Sequence, residues 1–344
     1  MALGQIAFLG SGETSRAGGT IFESLARPLP QPLHIAVLET PAGFELNSHQ
    51  VAGRVADFMK TRLQNYAPVV DVIPARKRGT PFSPDEAGLL KPLLYADLIF
   101  MGPGSPTYAI RQLTGSLAWD LIRARHRMGA TLAFASSATI AVGAWGLPVY
   151  EVYKVGEDIR SVPGLDLFHD FGAMVSFIPH WNNAEGGDDV DTSRCFVGRE
   201  RFDIWCNSLP PENVTVGLDE HTGLIVDFET GQCEVSGVSS VSLLRDCEAR
   251  IFAAGATFPL SALGLPAGIE PFEDGISARA WELVNNAPEI ENEQPSAEVL
   301  ALLEQREKAR TARQWAEADR LREQISALGW TVQDTKDGQK LVRG

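Results

Sequence analysis

Basic residues are scarce in this chain. Thirty Lys and Arg stand against 44 Asp and Glu, a formal charge of -14. The deficit is uneven. Residues 297–344 hold 9 Lys or Arg against 8 Asp or Glu, so the tail is at +1 and residues 1–296 carry -15. A body that acidic repels phosphate backbones, which leaves only the tail for nucleic acid. Long apolar runs are also missing. No stretch approaches the roughly 20 residues needed to span a bilayer, so no membrane partner is expected. No basic region precedes the first strand pattern, which sets the expectation of no secretory leader. Cysteine is sparse, with Cys195, Cys206, Cys233 and Cys247 and no CxxC spacing. A chain of 344 residues does not need disulfides. Reduced thiols and a cytoplasmic location are therefore expected. What is present is 44% hydrophobic residues, the balance of a soluble globular chain long enough for two domains.

The first half alternates strand and helix signals. Apolar runs at 5–9, 34–38, 69–73, 97–101 and 131–134 read as strands. Helical patterns fall at 50–63, 84–94, 108–113 and 117–125. The strand runs are near-continuously apolar, as in strands buried on both faces of a parallel sheet. Repeated βα units then imply a doubly wound α/β domain with right-handed crossovers. In the second half, 149–155 and 173–178 read as strands. Residues 214–218, 224–228, 233–238 and 250–259 read as a late antiparallel portion. The segment 263–295, rich in Pro, Gly, Glu and Asn, reads as a partly helical linker. Ser296 is a helix N-cap candidate. Apolar stripes at Val299, Leu300, Leu303 and at Ala318, Leu321, Ile325, Leu328 follow, then Gly329 as a helix stop. Asp337-Gly338 between two short runs signals a hairpin. The expected division is 1–262, a linker at 263–295, and a helical hairpin with a β-ribbon at 296–344.

Ligands in open α/β sheets bind beyond the carboxyl ends of the strands. The fifth strand ends in Phe134-Ala135-Ser136-Ser137-Ala138-Thr139. A serine on such a strand-to-helix turn is exposed at a helix N-terminus. Ser137 is the candidate nucleophile, and Ser136 takes its place if the turn is shifted by one residue. The fourth strand ends in Gly102-Pro103-Gly104-Ser105-Pro106, a loop whose backbone approaches a ligand closely. Gly104 N–H with Ala138 N–H would make a two-donor oxyanion hole. His180, set off by Pro179 at a strand end and followed by a polar run, is the candidate base. His221 is the weaker rival.

The Gly102–Ser105 loop, the Ser-Ala elbow and Pro179-His180 occur in the order seen in the cyanophycinase and aspartyl dipeptidase family. Gly10-Ser11-Gly12-Glu13 and Asp219-Glu220-His221-Thr222-Gly223-Leu224 resemble further segments of it. The resemblance covers roughly residues 1–262. It implies a class I glutamine amidotransferase-like, flavodoxin-like fold. It also implies a serine peptidase or amide hydrolase acting next to aspartyl residues, without metal or cofactor. Both glycines of the family's Gly-x-Ser-Ala-Gly elbow are replaced here, by Ala135 and Thr139. The family places its triad carboxylate between serine and histidine, which points to Glu151, with Glu157 and Asp158 as alternatives. Asn182, Asn183, Glu185 and Arg194 are the candidate substrate-binding residues, an arginine being suited to a carboxylate. His180, Glu185, Asp191 and His221 lack metal-ligand spacing, so no metal is expected. A small peptide or amide is the expected substrate, and a homodimer is open.

Residues 297–344 resemble the C-terminal appendage of bacterial cysteinyl-tRNA synthetase, through Glu304–Arg310, Trp315–Arg322 and the run from Gly329 to Gly338. No HIGH-type or KMSKS-type signature accompanies it, so the chain is not expected to be a synthetase. The resemblance implies contact with tRNA or another RNA through Arg306, Arg310, Arg313 and Arg322. The alternative is a packing or oligomerisation module. For the whole chain, the alternative to a hydrolase is a non-catalytic binding protein tied by its tail to RNA or a translation-related partner.

Overall fold

The computed structural model describes residues 3–266, 275–287, 296–335 and 338–343. In chain order the strands are β1 (Ile6–Leu9), β2 (His34–Leu38), β3 (Val69–Ile73), β4 (Leu98–Met101), β5 (Thr131–Ala135), β6 (Trp145–Gly146), β7 (Val162–Pro163) and β8 (Val175–Ile178). They continue with β9 (Val214–Leu218), β10 (Thr222–Asp227), β11 (Gln232–Gly237), β12 (Ser240–Arg245), β13 (Glu248–Ala253), β14 (Thr257–Pro259), β15 (Trp330–Thr335) and β16 (Gly338–Arg343). The helices are α1 (Arg16–Ala26), α2 (Ser48–Arg62), α3 (Pro106–Leu113), α4 (Leu117–Arg127), α5 (Ser137–Ala141), α6 (Arg199–Asn207), α7 (Ala278–Asn285), α8 (Ala297–Thr311) and α9 (Trp315–Ala327). No helix among the described residues is long and apolar enough to cross a membrane. The chain forms two compact units, Met1–Ala287 and Pro288–Gly344.

In the first unit an eight-stranded sheet runs in the order β14-β11-β10-β1-β5-β4-β2-β3. Its β1-β5-β4-β2-β3 portion is parallel, and β10 joins β1 antiparallel. The continuous apolar runs have a direct cause. Ile6 and Phe8 enter one core cluster while Ala7 and Leu9 enter another, so both sheet faces are buried. Serines set the helix starts nearby: Ser15, Ser105 and Ser116 accept from backbone N–H groups three residues on.

The structure departs from the sequence reading in four places. Residues 84–94 form turns and a short 3-10 segment, Lys91–Leu94, because Pro92 cannot sit inside an α-helix. Residues 149–155 contain a wide helical turn, Glu151–Val155, not a strand. Val149 and Val152 are buried together at three-residue spacing, while Tyr153 and Val155 are exposed, which is helical periodicity. The late antiparallel portion divides between two sheets. β10, β11 and β14 extend the large sheet, whereas β13-β12-β9-β8 form a second one. The expected linker, 263–295, is not a free connector in its described part. Leu263, Leu265, Ile276, Ala280 and Val284 share the main core cluster, and α7 packs on α4. The end of that expected linker, 288–295, lies outside the described residues.

The cysteines also differ from expectation. Cys206, at the end of α6, and Cys247, in the β12–β13 turn, are joined in a disulfide across 41 residues of sequence. Nothing in that spacing signals a pair. Cys195 and Cys233 are buried free thiols.

The second unit is a helical hairpin closed by the β15–β16 ribbon. Ser296 caps α8 by accepting from Val299 N–H. Val299, Ile325, Trp330 and Val332 form its core. Asp337 lies outside the described residues. Arg306 is 2% exposed and donates two parallel bonds to Asp334, at 2.9 and 3.0 Å, and one to Gln339. It therefore holds the ribbon to the helices from inside. The bond from Arg306 outweighs the effect of burial on Asp334 and, with Arg310, holds its carboxyl below the ordinary range. A depressed carboxyl contributes stability above its unfolded value of about 3.9, and the contribution is lost as pH falls through the lower folded value. Replacing Asp334 by Ala leaves a buried guanidinium uncompensated. The expected cost is about 2–3 kcal/mol, reduced from the fully buried case because Asp334 is half-exposed. Hydrogen exchange of α8 and α9 amides should accelerate in that variant, while β1 and β5 stay protected.

Candidate active site

The carboxyl ends of β1, β4, β5 and β8 converge on one locus. Backbone bonds tie them together: Ser136 N–H donates to Leu9 O at 3.2 Å, and His180 N–H donates to Gly10 O at 3.2 Å. The turn after β5 places Ser136 at φ 53°, ψ -117°. A non-glycine residue there is strained, and its side chain is thrown out of the strand-to-helix corner. Its Oγ lies 3.0 Å from His180 Nε2. Ser137, the expected nucleophile, is the first residue of α5 and is 4% exposed. Its hydroxyl donates to Gly102 O at 3.1 Å. The elbow is thus shifted one residue from the expectation, because the positive φ falls on Ser136.

The second ring nitrogen of His180, Nδ1, lies 2.9 Å from Glu220 Oε1. Glu220 stands between β9 and β10, in a turn anchored by its neighbour. Asp219 is 5% exposed and accepts from Ser239 Oγ, Ser240 N–H and Ser240 Oγ. Fixing Asp219 points Glu220 toward the imidazole. Burial alone would raise the Glu220 carboxyl, but hydrogen bonds from His180 and Asn183 outweigh it and hold it below its ordinary value. Ser136, His180 and Glu220 form one hydrogen-bonded chain, in the order hydroxyl, imidazole and carboxylate.

Glu151, the expected acid, is not part of that chain. Its Oε1 accepts from Thr107 Oγ1 at 2.5 Å, at the start of α3. Glu157 pairs with Arg160. The Asp219-Glu220 pair is present in the sequence, but the family's order places the carboxylate between Ser137 and His180. The strand end at Leu218, with two carboxylates after it, was the usable signal.

Two of the four expected substrate-binding residues, Asn182 and Asn183, bond to Glu220. Asn183 Nδ2 donates to Glu220 Oε1 at 3.0 Å, and Asn182 Oδ1 accepts Glu220 N–H at 2.8 Å. Glu185 N–H donates to Asn183 Oδ1. The Arg194 guanidinium lies 3.6 Å over the Trp181 ring and donates to Trp181 O. Phe196 packs 5.7 Å from the His180 ring. Burial, and then the Glu220 charge, push the Cys195 thiol up to about 12, so it stays protonated. His221 is turned away, its ring toward Ser15 Oγ. Among the described residues no cluster of three or more His, Cys, Asp or Glu is arranged to hold a metal.

Two backbone N–H groups at these strand ends have no acceptor among the described residues. Ser137 N–H opens α5 and has no intrahelical acceptor. Ala138, the expected donor, lies one residue further into the helix. Gly104 N–H has no acceptor among the described residues. At φ +150°, a side chain on Gly104 would meet Pro41 O at 2.0 Å, so only glycine fits.

Comparison with known proteins separates the two units. Residues 293–341 match the family model of the cysteinyl-tRNA ligase anticodon binding domain. Cysteine–tRNA ligase 1 of Burkholderia lata is 44% identical over 68 residues, 20% of this chain and 13% of the ligase. The Methanosarcina mazei cysteine–tRNA ligase is 47% identical over 51 residues, 15% of this chain and 11% of the ligase. The chain therefore spans only a small part of these relatives. A solved peptidase from an acI-B1 Actinobacterium superposes with a TM-score of 0.60 at 20% identity, covering 75% of this chain and 97% of that one. The chain thus joins an α/β body with the fold of that peptidase to a tail similar to the anticodon-binding domain of cysteinyl-tRNA ligases.

Proposed function

We propose that the body is a serine hydrolase that cleaves an amide or peptide bond, with Ser136 as nucleophile, His180 as base and Glu220 as orienting acid. The observation that carries this reading is the continuous Ser136–His180–Glu220 hydrogen-bond chain at the strand ends. The peptidase fold of the structural neighbour supports it. Ser136 Oγ attacks the carbonyl carbon as its proton passes to His180 Nε2. The C–N bond then breaks, and the leaving amine takes that proton. Water, deprotonated by the same nitrogen, hydrolyses the acyl-enzyme. Glu220 holds the Nδ1–H tautomer and stabilises the imidazolium. Ser137 and Gly104 N–H groups stabilise the oxyanion. An aspartyl residue beside the scissile bond belongs to the resemblance, but Arg194, its expected anchor, is occupied by Trp181.

A fluorophosphonate probe tests the assignment. Labelling should vanish in Ser136→Ala and persist in Ser137→Ala. It should slow by at least about 10⁴-fold in His180→Ala and Glu220→Ala, the loss on removing a triad base or its orienting acid. An unlabelled, folded wild type would remove the hydrolase reading.

For the tail we propose contact with the structured end of a tRNA. Of the four arginines expected to carry it, Arg306 and Arg310 are committed to Asp334. Lys308 and Arg320 pair with Glu304 and Glu317. Arg313 and Arg322 are exposed and make no ion pair among the described residues. Trp315, 58% exposed, lies two turns before Arg322 on α9. An aromatic face beside two free guanidinium groups suits unstacked bases and phosphates. Binding of the full chain to bulk tRNA should be weak. It should drop about tenfold in Trp315→Ala, the lower end for losing one stacked base, and also in Arg322→Glu. Unchanged affinity in both would rule this face out.

A further inference from the structure

We infer that Glu151 is a positioning residue for the oxyanion loop, acting through the hydroxyls of Thr107 and Ser105. The inference rests on the hydrolase reading above. It explains why a carboxylate outside the triad is held among polar groups at the edge of the site.

The hydrogen-bond directions follow from the number of protons available. Thr107 Oγ1 donates to Glu151 Oε1 at 2.5 Å, which uses its one proton. The 3.1 Å contact between Ser105 Oγ and Thr107 Oγ1 must then be donated by Ser105. Ser105 Oγ in turn accepts Tyr108 N–H at 3.2 Å, the N-cap bond of α3. Every proton in the sequence Tyr108 N–H, Ser105, Thr107, Glu151 points toward the carboxylate. The cap hydroxyl is therefore fixed in one rotamer.

That cap closes the Gly102–Ser105 loop. Ser105 N–H donates to Pro41 O at 2.9 Å, and Gly104 lies against the same carbonyl with no room for a side chain. Gly102 O takes the Ser137 hydroxyl, so the loop is also tied to the elbow helix. Helix α3 packs on α5, the helix that begins at Ser137. Both backbone donors assigned to the oxyanion in the proposed mechanism are thus tied to one hydroxyl chain ending at Glu151. Pro106 follows Ser105 and has no N–H, so the backbone offers no substitute for the hydroxyl chain there.

Glu151 Oε2 strengthens the case. It is buried and has no hydrogen-bond partner among the described residues. A carboxylate kept with one oxygen unpartnered is not retained for its own pairing. Its organised contact is the one to Thr107. The peptide around it is equally specialised, since Glu151 opens the wide turn Glu151–Val155, whose N-terminal neighbour Tyr150 is half-buried.

The experiment measures the rate constant for fluorophosphonate labelling of the full chain, together with kcat and KM for p-nitrophenyl acetate. The phosphonate oxygen occupies the oxyanion position, so labelling reads the geometry of the hole. Glu151→Ala and Thr107→Val should each slow labelling and lower kcat by about 10–100-fold, with KM changed by less than about threefold. Thr107→Ser keeps the hydroxyl and should restore most of the rate. If Glu151→Ala fails to fold, the Thr107→Val and Thr107→Ser pair decides the matter alone. Labelling of folded Thr107→Val at the wild-type rate overturns the positioning role and leaves the hydrolase reading intact. A slow Thr107→Ser, equal to Thr107→Val, overturns it as well. A wild type that takes no label overturns both.

Discussion

The backbone of Ser136 is the constraint on which the site depends. At φ 53° the residue sits where an L side chain costs about 1–3 kcal/mol, and the surrounding structure must enforce it. It does so through β1. Ser136 N–H and Thr139 Oγ1 both bond to Leu9 O, at the last residue of that strand. The next carbonyl, Gly10 O, receives His180 N–H, and His180 is itself at φ 49°. Ser136 and His180 are therefore positioned by consecutive carbonyls of one strand end. Their 3.0 Å separation is a property of the sheet rather than of mobile loops.

The acid is held by a different principle. Glu220 sits on a turn outside the large sheet, and its place is fixed by side chains. Asp219 binds the turn to the start of β12, and Asn182 and Asn183 clasp Glu220 from the loop that carries His180. The base and its orienting acid thus share one polar network. In it the buried Asp219 and Asn183 have their polar groups satisfied. Asn182 and Asn183, which read as substrate ligands in sequence, are thus bonded to Glu220.

The parts legible in sequence are those that follow from burial on two faces. The five parallel strands read as continuous apolar runs because Ile6 and Phe8 meet one core and Ala7 and Leu9 the other. His180 was legible because a proline and a polar run set it at a strand end. Which of the two adjacent serines meets His180 was not, since Ser136 and Ser137 differ only in backbone angles that composition does not encode. Nor was the acid, which reaches His180 from 40 residues downstream. In the tail, charge counting missed that Arg306 is a core residue, because its partner Asp334 arrives on the far ribbon. The Cys206–Cys247 link was invisible for the same reason, being made by a hairpin turn meeting a helix end.

The central claim is that the strained residue, and not its buried neighbour, carries the chemistry. Tandem mass spectrometry of the wild-type chain after fluorophosphonate treatment tests it directly. The peptide containing Phe134-Ala135-Ser136-Ser137 should carry the phosphonate on Ser136, and Ser137 should be unmodified. Phosphonate on Ser137 would mean that the elbow and the triad are assigned to the wrong residue.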